Sequence, residues 1–281
     1  MRKSIFAMLE ANEKVNIKEE YEKVRVLFKK QNVVEDNSIQ WFASKNLVPI
    51  WKFRHRCVTI MDLYGLLEID DTSIKDANYD INKVLSYFEL VYTFTKMVVR
   101  CAFGPSTYYT YNNSIYSSCL DTKNINLILE NIESFLEDLN YEIKEVSEDR
   151  YEIIEKNALA TEVAEKYENI ASEIIEYRKY ALKGDIKSKR EILKVLADSI
   201  EPLKSIFKGT TYFSLYEDTT FLLNNLNIRH NNEDNKLYNE LYQDNEIEEW
   251  YDRTYNCILN VLAINEYLSI NKSINELKQK T

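Results

Sequence analysis

A chain of 281 residues with 45% hydrophobic residues has enough apolar material for one large domain or two ordinary ones, and 21 tyrosines with 11 phenylalanines exclude an intrinsically disordered chain. Four glycines and three prolines are too few for many strands joined by tight turns, so the composition points to long helices with short polar connections. The net charge of -10 excludes general coating of nucleic acid, which relies on positive charge, while leaving room for a local basic patch.

In chain order, an amphipathic helix is expected over about 17 to 31, with Val24, Leu27 and Phe28 on its apolar face. Ser38 is a candidate N-cap for a unit that runs through Trp41 and Phe42 towards Pro49. The segment Trp51 to Cys57 precedes a helix expected from Val58 to Leu67. Ile81, Val84, Leu85, Phe88, Val91, Thr95, Val98 and Ala102 then recur at three-to-four spacing until Gly104-Pro105 stops the pattern. Residues 106 to 124 read as a loop, and Ile125, Ile128, Ile132, Phe135 and Leu139 mark the next helix.

At Tyr141 the period changes to two. Tyr141 to Val146 and Tyr151 to Ile153 alternate around a short polar turn, which reads as a β-hairpin over about 141 to 155. A long helix is expected over about 158 to 182. Gly184 suits the position just past its end, and Asp185 suits the cap of the next helix, Ile186 to about Ile200. Helices over about 212 to 228 and from Asn245 to about 270 complete the chain; Glu246, Glu248 and Glu249 complement the dipole at the start of the last one. The expected fold is therefore mainly α, a multi-helix bundle in two halves, with 1–139 as an N-terminal domain and 140–281 as hairpin plus C-terminal helical domain.

Cys57, Cys101, Cys119 and Cys257 are far apart and have no C-x-x-C spacing, as in a reduced cytoplasmic protein. The apolar run near the N-terminus is too short for a signal peptide, and no uncharged apolar stretch approaches a membrane span. The expectation is a cytoplasmic protein with no membrane partner. Two distant histidines and scattered cysteines do not make a zinc site, and Walker A, G-x-G-x-x-G and G-x-S-x-G sequences are missing. Neither a metal nor a cofactor is expected.

Three constellations carry candidate chemistry. The first is Asn224-Asn225-Leu226-Asn227-Ile228-Arg229-His230-Asn231-Asn232. Asparagine competes for backbone hydrogen bonds and is a poor helix-interior residue. The stretch is either a structural helix junction or a site for phosphate or another polar ligand. As a metal-independent ribonuclease site, His230 would be the general acid/base and Arg229 the phosphate stabiliser, with Asn224, Asn225, Asn227, Asn231 and Asn232 orienting RNA. The second is Trp51 to Arg56, where Lys52, Arg54 and Arg56 alternate with Trp51, Phe53 and His55, either as a single-strand binding surface with Arg54, His55 and Arg56 as candidates or as an aromatic anchor with snorkelling bases. The third is a basic tract: Arg178, Lys179, Lys183, Lys187, Lys189, Arg190, Lys194, Lys204 and Lys208 stand against Asp185, Glu191, Asp198 and Glu201. It presents either a phosphate-binding face, with Lys187 and Arg190 as candidates, or an ordinary solvated helix face.

At Lys183-Gly184-Asp185-Ile186 through Lys189-Arg190-Glu191-Ile192-Leu193, at Asn224–Asn232 and at Glu248-Glu249-Trp250-Tyr251, the chain resembles bacterial abortive-infection proteins, helical phage-defence proteins of which many carry a C-terminal HEPN-like domain. The resemblance covers roughly 140–281, with a weaker stretch around Trp51–Leu67. It implies a defence role directed at RNA or exercised through interaction. Active HEPN ribonucleases carry an arginine, four to six residues, then a histidine. Counting back from His230, that arginine would stand at Asn225, Asn224 or Leu223, and none is arginine. The expectation is a phage-defence protein whose C-terminal domain binds RNA or nucleotide, with metal-independent ribonuclease activity in doubt. The alternative is a non-catalytic interaction module that binds a protein partner or a second copy of itself.

Overall fold

Scarce glycine and abundant three-to-four apolar spacing do produce helices. The fold, a computed structural model describing residues 15–31, 33–34, 36–103, 120–229 and 244–278, is mainly α with one two-stranded antiparallel hairpin. It divides into two compact units, 1–153 and 154–281. The division falls inside the second strand of the hairpin, whereas the sequence pattern suggested a boundary before the first.

In the first unit, α1 (Ile17–Phe28) is capped by Asn16 and buries Tyr21, Val24 and Phe28. Ser38 caps α2 (Ile39–Phe42) by accepting from the Trp41 amide at 3.1 Å, as its position before the apolar run suggested, and a π-helix over Ala43–Leu47 continues it. The short α3 (Ile60–Leu66) begins at a reciprocal capping box between Thr59 and Asp62, and α4 (Asp71–Asp76) at Asp70. The central helix α5 (Ile81–Phe103) buries Val84, Leu85, Phe88, Val91, Phe94 and Val98. It meets α6 (Thr122–Asp138) through an edge-on contact of Phe88 with Phe135, ring centroids 5.1 Å apart. Tyr92 adds a hydrogen bond to Glu133 at 2.6 Å.

The hairpin, β1 (Tyr141–Ser147) and β2 (Arg150–Glu155), turns through Asp149 in a left-handed conformation at φ 57°. A lone hairpin is marginal in water, and α5 holds this one. Arg100 pairs with Glu145 at 2.7 Å and Asp149 at 2.6 Å, while Glu89 accepts from the Ile153 amide at 2.9 Å. The Trp51 indole donates to the Asp149 carbonyl at 2.8 Å.

The second unit opens with α7 (Ala158–Lys166), capped by Asn157. The single helix expected over 158–182 is interrupted: a 3-10 turn (Glu168–Ile170), α8 (Ala171–Tyr177) and a second 3-10 turn (Tyr180–Leu182) follow. Tyr167 causes the break. It leaves helical geometry at ψ 68°, and its hydroxyl donates to the Leu262 carbonyl at 3.0 Å. Tertiary bonding overrides local propensity there. Gly184 does adopt a left-handed φ of +84°, and Asp185 caps α9 (Ile186–Ile200) through the Ser188 amide at 3.0 Å. A 3-10 turn (Glu201–Leu203) carrying Pro202 precedes α10 (Lys204–Phe207), and α11 (Phe213–Asn225) and α12 (Asp244–Lys278) complete the unit. Leu193, Leu196, Ala197, Ile200, Phe207, Leu223, Tyr251, Ile258 and Leu262 form its core. Among the described residues no helix is long and apolar enough to cross a membrane.

Phe88 is fully buried between α5 and α6. Phe88→Ala is expected to cost about 3–5 kcal/mol of stability in urea unfolding followed by circular dichroism. A cost under about 1 kcal/mol would contradict its place in the core.

Candidate functional site

Asparagine-rich sequence ends α11. The Leu226 amide bonds the Leu222 carbonyl at 2.9 Å, and Asn227 turns the chain at φ 57°, a conformation asparagine tolerates. Arg190 of α9 donates to the Asn227 carbonyl and reaches its side-chain oxygen at 3.5 Å. Arg229 donates to the Ala197 carbonyl at 2.7 Å, and its amide closes on the Leu223 carbonyl at 3.1 Å. From α12, the Tyr251 hydroxyl donates to the Leu226 carbonyl at 3.2 Å. Asn225 bonds back to the Phe221 carbonyl at 2.8 Å, whereas the buried Asn224 Oδ1 finds no hydrogen-bond partner among the described residues. Two guanidinium groups thus bind backbone carbonyls of their own unit. His230, Asn231 and Asn232 lie outside the described residues.

Arg54, His55 and Arg56 belong to the other unit. Arg54 donates to the Cys57 carbonyl at 3.1 Å, His55 occupies a left-handed turn, and both His55 and Arg56 are exposed. Phe53 carries the Arg150 guanidinium over its ring at 5.3 Å.

The basic tract behaves differently. Arg178, Lys179, Lys183 and Lys189, joined by Lys156, line one cleft of about 300 Å³ in the second unit. Lys187 and Arg190 do not line it. Glu155, Glu248, Glu249 and Asp252 line the same cleft, as do Asn157, Asn245 and Asn256. Among the described residues no group of three or more His, Cys, Asp or Glu side chains is placed to hold a metal ion.

The floor of the cleft is an ion cluster around Lys189, which is 7% exposed. Its ammonium lies 2.8 Å from Glu248 and 2.7 Å from Asp252, and 5.3 Å above the Tyr177 ring. Glu248 also accepts from the Gly184 amide at 2.8 Å, and Asp252 from the Tyr177 hydroxyl at 2.9 Å. Tyr177 stacks on Tyr255 with centroids 4.2 Å apart, and the Tyr255 hydroxyl bonds the Ile174 carbonyl at 2.8 Å. One wall is the Arg178 guanidinium, buried against the Glu155 carbonyl at 2.8 Å and the Thr161 hydroxyl at 3.3 Å.

Burial pulls the Lys189 ammonium down, but its bonds to Asp252 and Glu248 outweigh this and hold it above the ordinary lysine range. Burial raises Glu248, yet the Gly184 amide and Lys189 outweigh that and leave its carboxyl below the ordinary range. Burial, then the charge and hydrogen bond of Asp252, push the Tyr177 hydroxyl far up, so it remains a donor at neutral pH.

Sequence reasoning found the basic tract and read Glu248 as a dipole-complementing residue. It missed Asp252, Tyr177 and the role of Lys189. The available signal was the four-residue step from Glu248 to Asp252, which puts both carboxylates on one helix face.

Lys189→Met leaves two carboxylates without their cation. The expected loss is on the order of 2–4 kcal/mol in denaturant unfolding, at the low end for a broken buried pair because Asp252 is half-exposed. The contribution of Glu248 is present above the unfolded carboxyl value of about 4.3 and disappears as pH falls through its lower folded value; that of Lys189 is present below about 10.4 and disappears as pH rises through its higher folded value. A stability–pH curve that is unchanged by Lys189→Met would contradict this. No protein-family model matches the chain, and no curated protein or solved structure matches it.

Proposed function

We propose that this chain is a cytoplasmic phage-defence protein of the abortive-infection type, whose C-terminal unit binds RNA or a nucleotide through phosphate and does not cut RNA. The observation that carries the reading is one cleft lined by Arg178, Lys179, Lys183, Lys189 and Lys156 against Glu155, Glu248, Glu249 and Asp252, a local excess of one positive charge in a chain of net charge -10. A locally positive lining against that background favours a phosphate-bearing ligand. Leu223, Asn224 and Asn225 stand where a HEPN ribonuclease places arginine, and Arg229 is bonded to the Ala197 carbonyl. Both facts favour binding over cleavage.

Cells expressing the chain, challenged with a panel of phages, test this. Protection by at least tenfold in plaque count is expected, lost in Lys179→Glu/Lys183→Glu and retained in His230→Ala. Protection lost in His230→Ala, together with RNA cleavage by the unsubstituted protein, would overturn the non-catalytic part; unchanged protection in the double variant would overturn the role of the cleft.

A second reading, self-association, is favoured by the far end of α12. Tyr267, Ile270, Ile274 and Leu277 are exposed at three-four-three spacing, the pattern of a coiled-coil seam. Light scattering is expected to give at least twice the mass of the chain, falling to that of one chain in Ile270→Asp/Ile274→Asp. A single-chain mass for the unsubstituted protein would remove this reading.

A further inference from the structure

We infer that the cleft of the second unit is a site for ribose phosphate, in which Asp252 receives a ribose hydroxyl and Lys183 meets the phosphate, with little reading of the base. The inference rests on the phosphate-binding reading of this unit and names the chemistry of its ligand.

Asp252 is an oriented acceptor. Its Oδ1 takes hydrogen bonds from the Tyr177 hydroxyl at 2.9 Å and the Lys189 ammonium at 2.7 Å. Its Oδ2 has no hydrogen bond or ion pair among the described residues, and the side chain is 47% exposed on the cleft wall. A carboxylate fixed through one oxygen presents the other in a set direction at little entropic cost. Lys189 is shared between Asp252 and Glu248, so the free oxygen keeps acceptor strength for a hydroxyl donor. A ribose diol offers such donors, and acidic side chains bind ribose in this way elsewhere.

At the rim, the exposed Lys183 ammonium has no hydrogen bond or ion pair among the described residues. Lys156 and Lys179 line the same cleft. Lys179 is paired with Glu176 at 3.8 Å and the lining also holds Glu155, Glu248 and Glu249, so Lys183 is the cation that meets the ligand, and a phosphate offers it more acceptor oxygens than a single carboxylate, which separates a sugar phosphate from an amino acid. The volume of about 300 Å³ is at the lower end for small-molecule sites. The rings of Tyr177 and Tyr255 stack on each other and are 5% and 3% exposed, so neither offers a face to a base. Recognition therefore falls on sugar and phosphate. That chemistry occurs in free nucleotides and at a 5′-phosphorylated RNA end, and the two sources need separate arms in the test.

Calorimetric titration of the full chain with ribose 5-phosphate, AMP, GMP, UMP, CMP, dideoxy-AMP, inorganic phosphate and a 5′-phosphorylated RNA oligonucleotide decides the matter. Ribose 5-phosphate and the four ribonucleotides, or the RNA end in their place, are expected to bind within about threefold of one another across bases. Dideoxy-AMP and inorganic phosphate are expected to bind at least tenfold more weakly. Asp252→Asn and Lys183→Ala should each weaken binding at least tenfold, and Lys166→Ala, on α7, should not. Lys183 is exposed, so its variant reports even if Asp252→Asn fails to fold. Equal binding of dideoxy-AMP, strong dependence on the base, inorganic phosphate binding as tightly as ribose 5-phosphate, or no binding by any ligand would overturn the inference. Ribose-phosphate binding without phage protection would remove the defence reading alone; protection that depends on Lys183 without ribose-phosphate binding would remove this inference alone.

Discussion

A buried ammonium needs anionic partners, and Lys189 finds two on one face of α12. Its contacts with Glu248 and Asp252 are the constraint around which the second unit is organised. They set the rotation of α9 against α12, because a one-residue slip in either helix would carry a charged group into the core by about 100°. Glu248 extends the constraint to the turn before α9 through the Gly184 amide, and Asp252 extends it to α8 through Tyr177. A well-packed hydrophobic group of equal volume could match the cluster in raw stability. What the ions add is orientation: Lys189 and Tyr177 fix one oxygen of Asp252 on the lining of the cleft.

The two arginines beside the asparagine cluster illustrate the opposite use of charge. Arg190 and Arg229 hold the end of α11 by binding the Asn227 and Ala197 carbonyls, groups that the end of the helix or the bend of the chain exposes. Buried carbonyls without partners are costly, so these contacts shape the junction irrespective of any ligand. Within one unit, then, cations on neighbouring positions of the same helix serve different ends: Lys189 forms the floor of a cleft, and Arg190 closes a junction.

Much of the fold was legible because its determinants are local. Ser38, Gly184 and Asp185 act at the positions their chemistry suggests, and the alternation from Tyr141 to Ile153 is the hairpin. The break at Tyr167 was not legible, because the carbonyl that draws its hydroxyl out belongs to Leu262, 95 positions away. The cleft was half legible. Counting charges exposed the basic tract, but not that Lys189 turns inward while Lys187 faces solvent, nor that Asp252 lies 63 positions further along the chain as its partner. The polar cluster Asn224–Asn232 drew attention by composition; its described part is bonded through pairings such as Arg190 with Asn227, 37 positions apart, which a linear reading does not contain.

The central claim is that Lys189 and Asp252 act as a coupled pair. A double-mutant cycle built from Lys189→Met, Asp252→Asn and the combined variant measures that coupling directly in equilibrium unfolding at pH 7. A favourable interaction of about 1–3 kcal/mol is the expected result, with the combined variant more stable than the sum of the single losses requires. Strict additivity, with an interaction indistinguishable from zero, would contradict the claim.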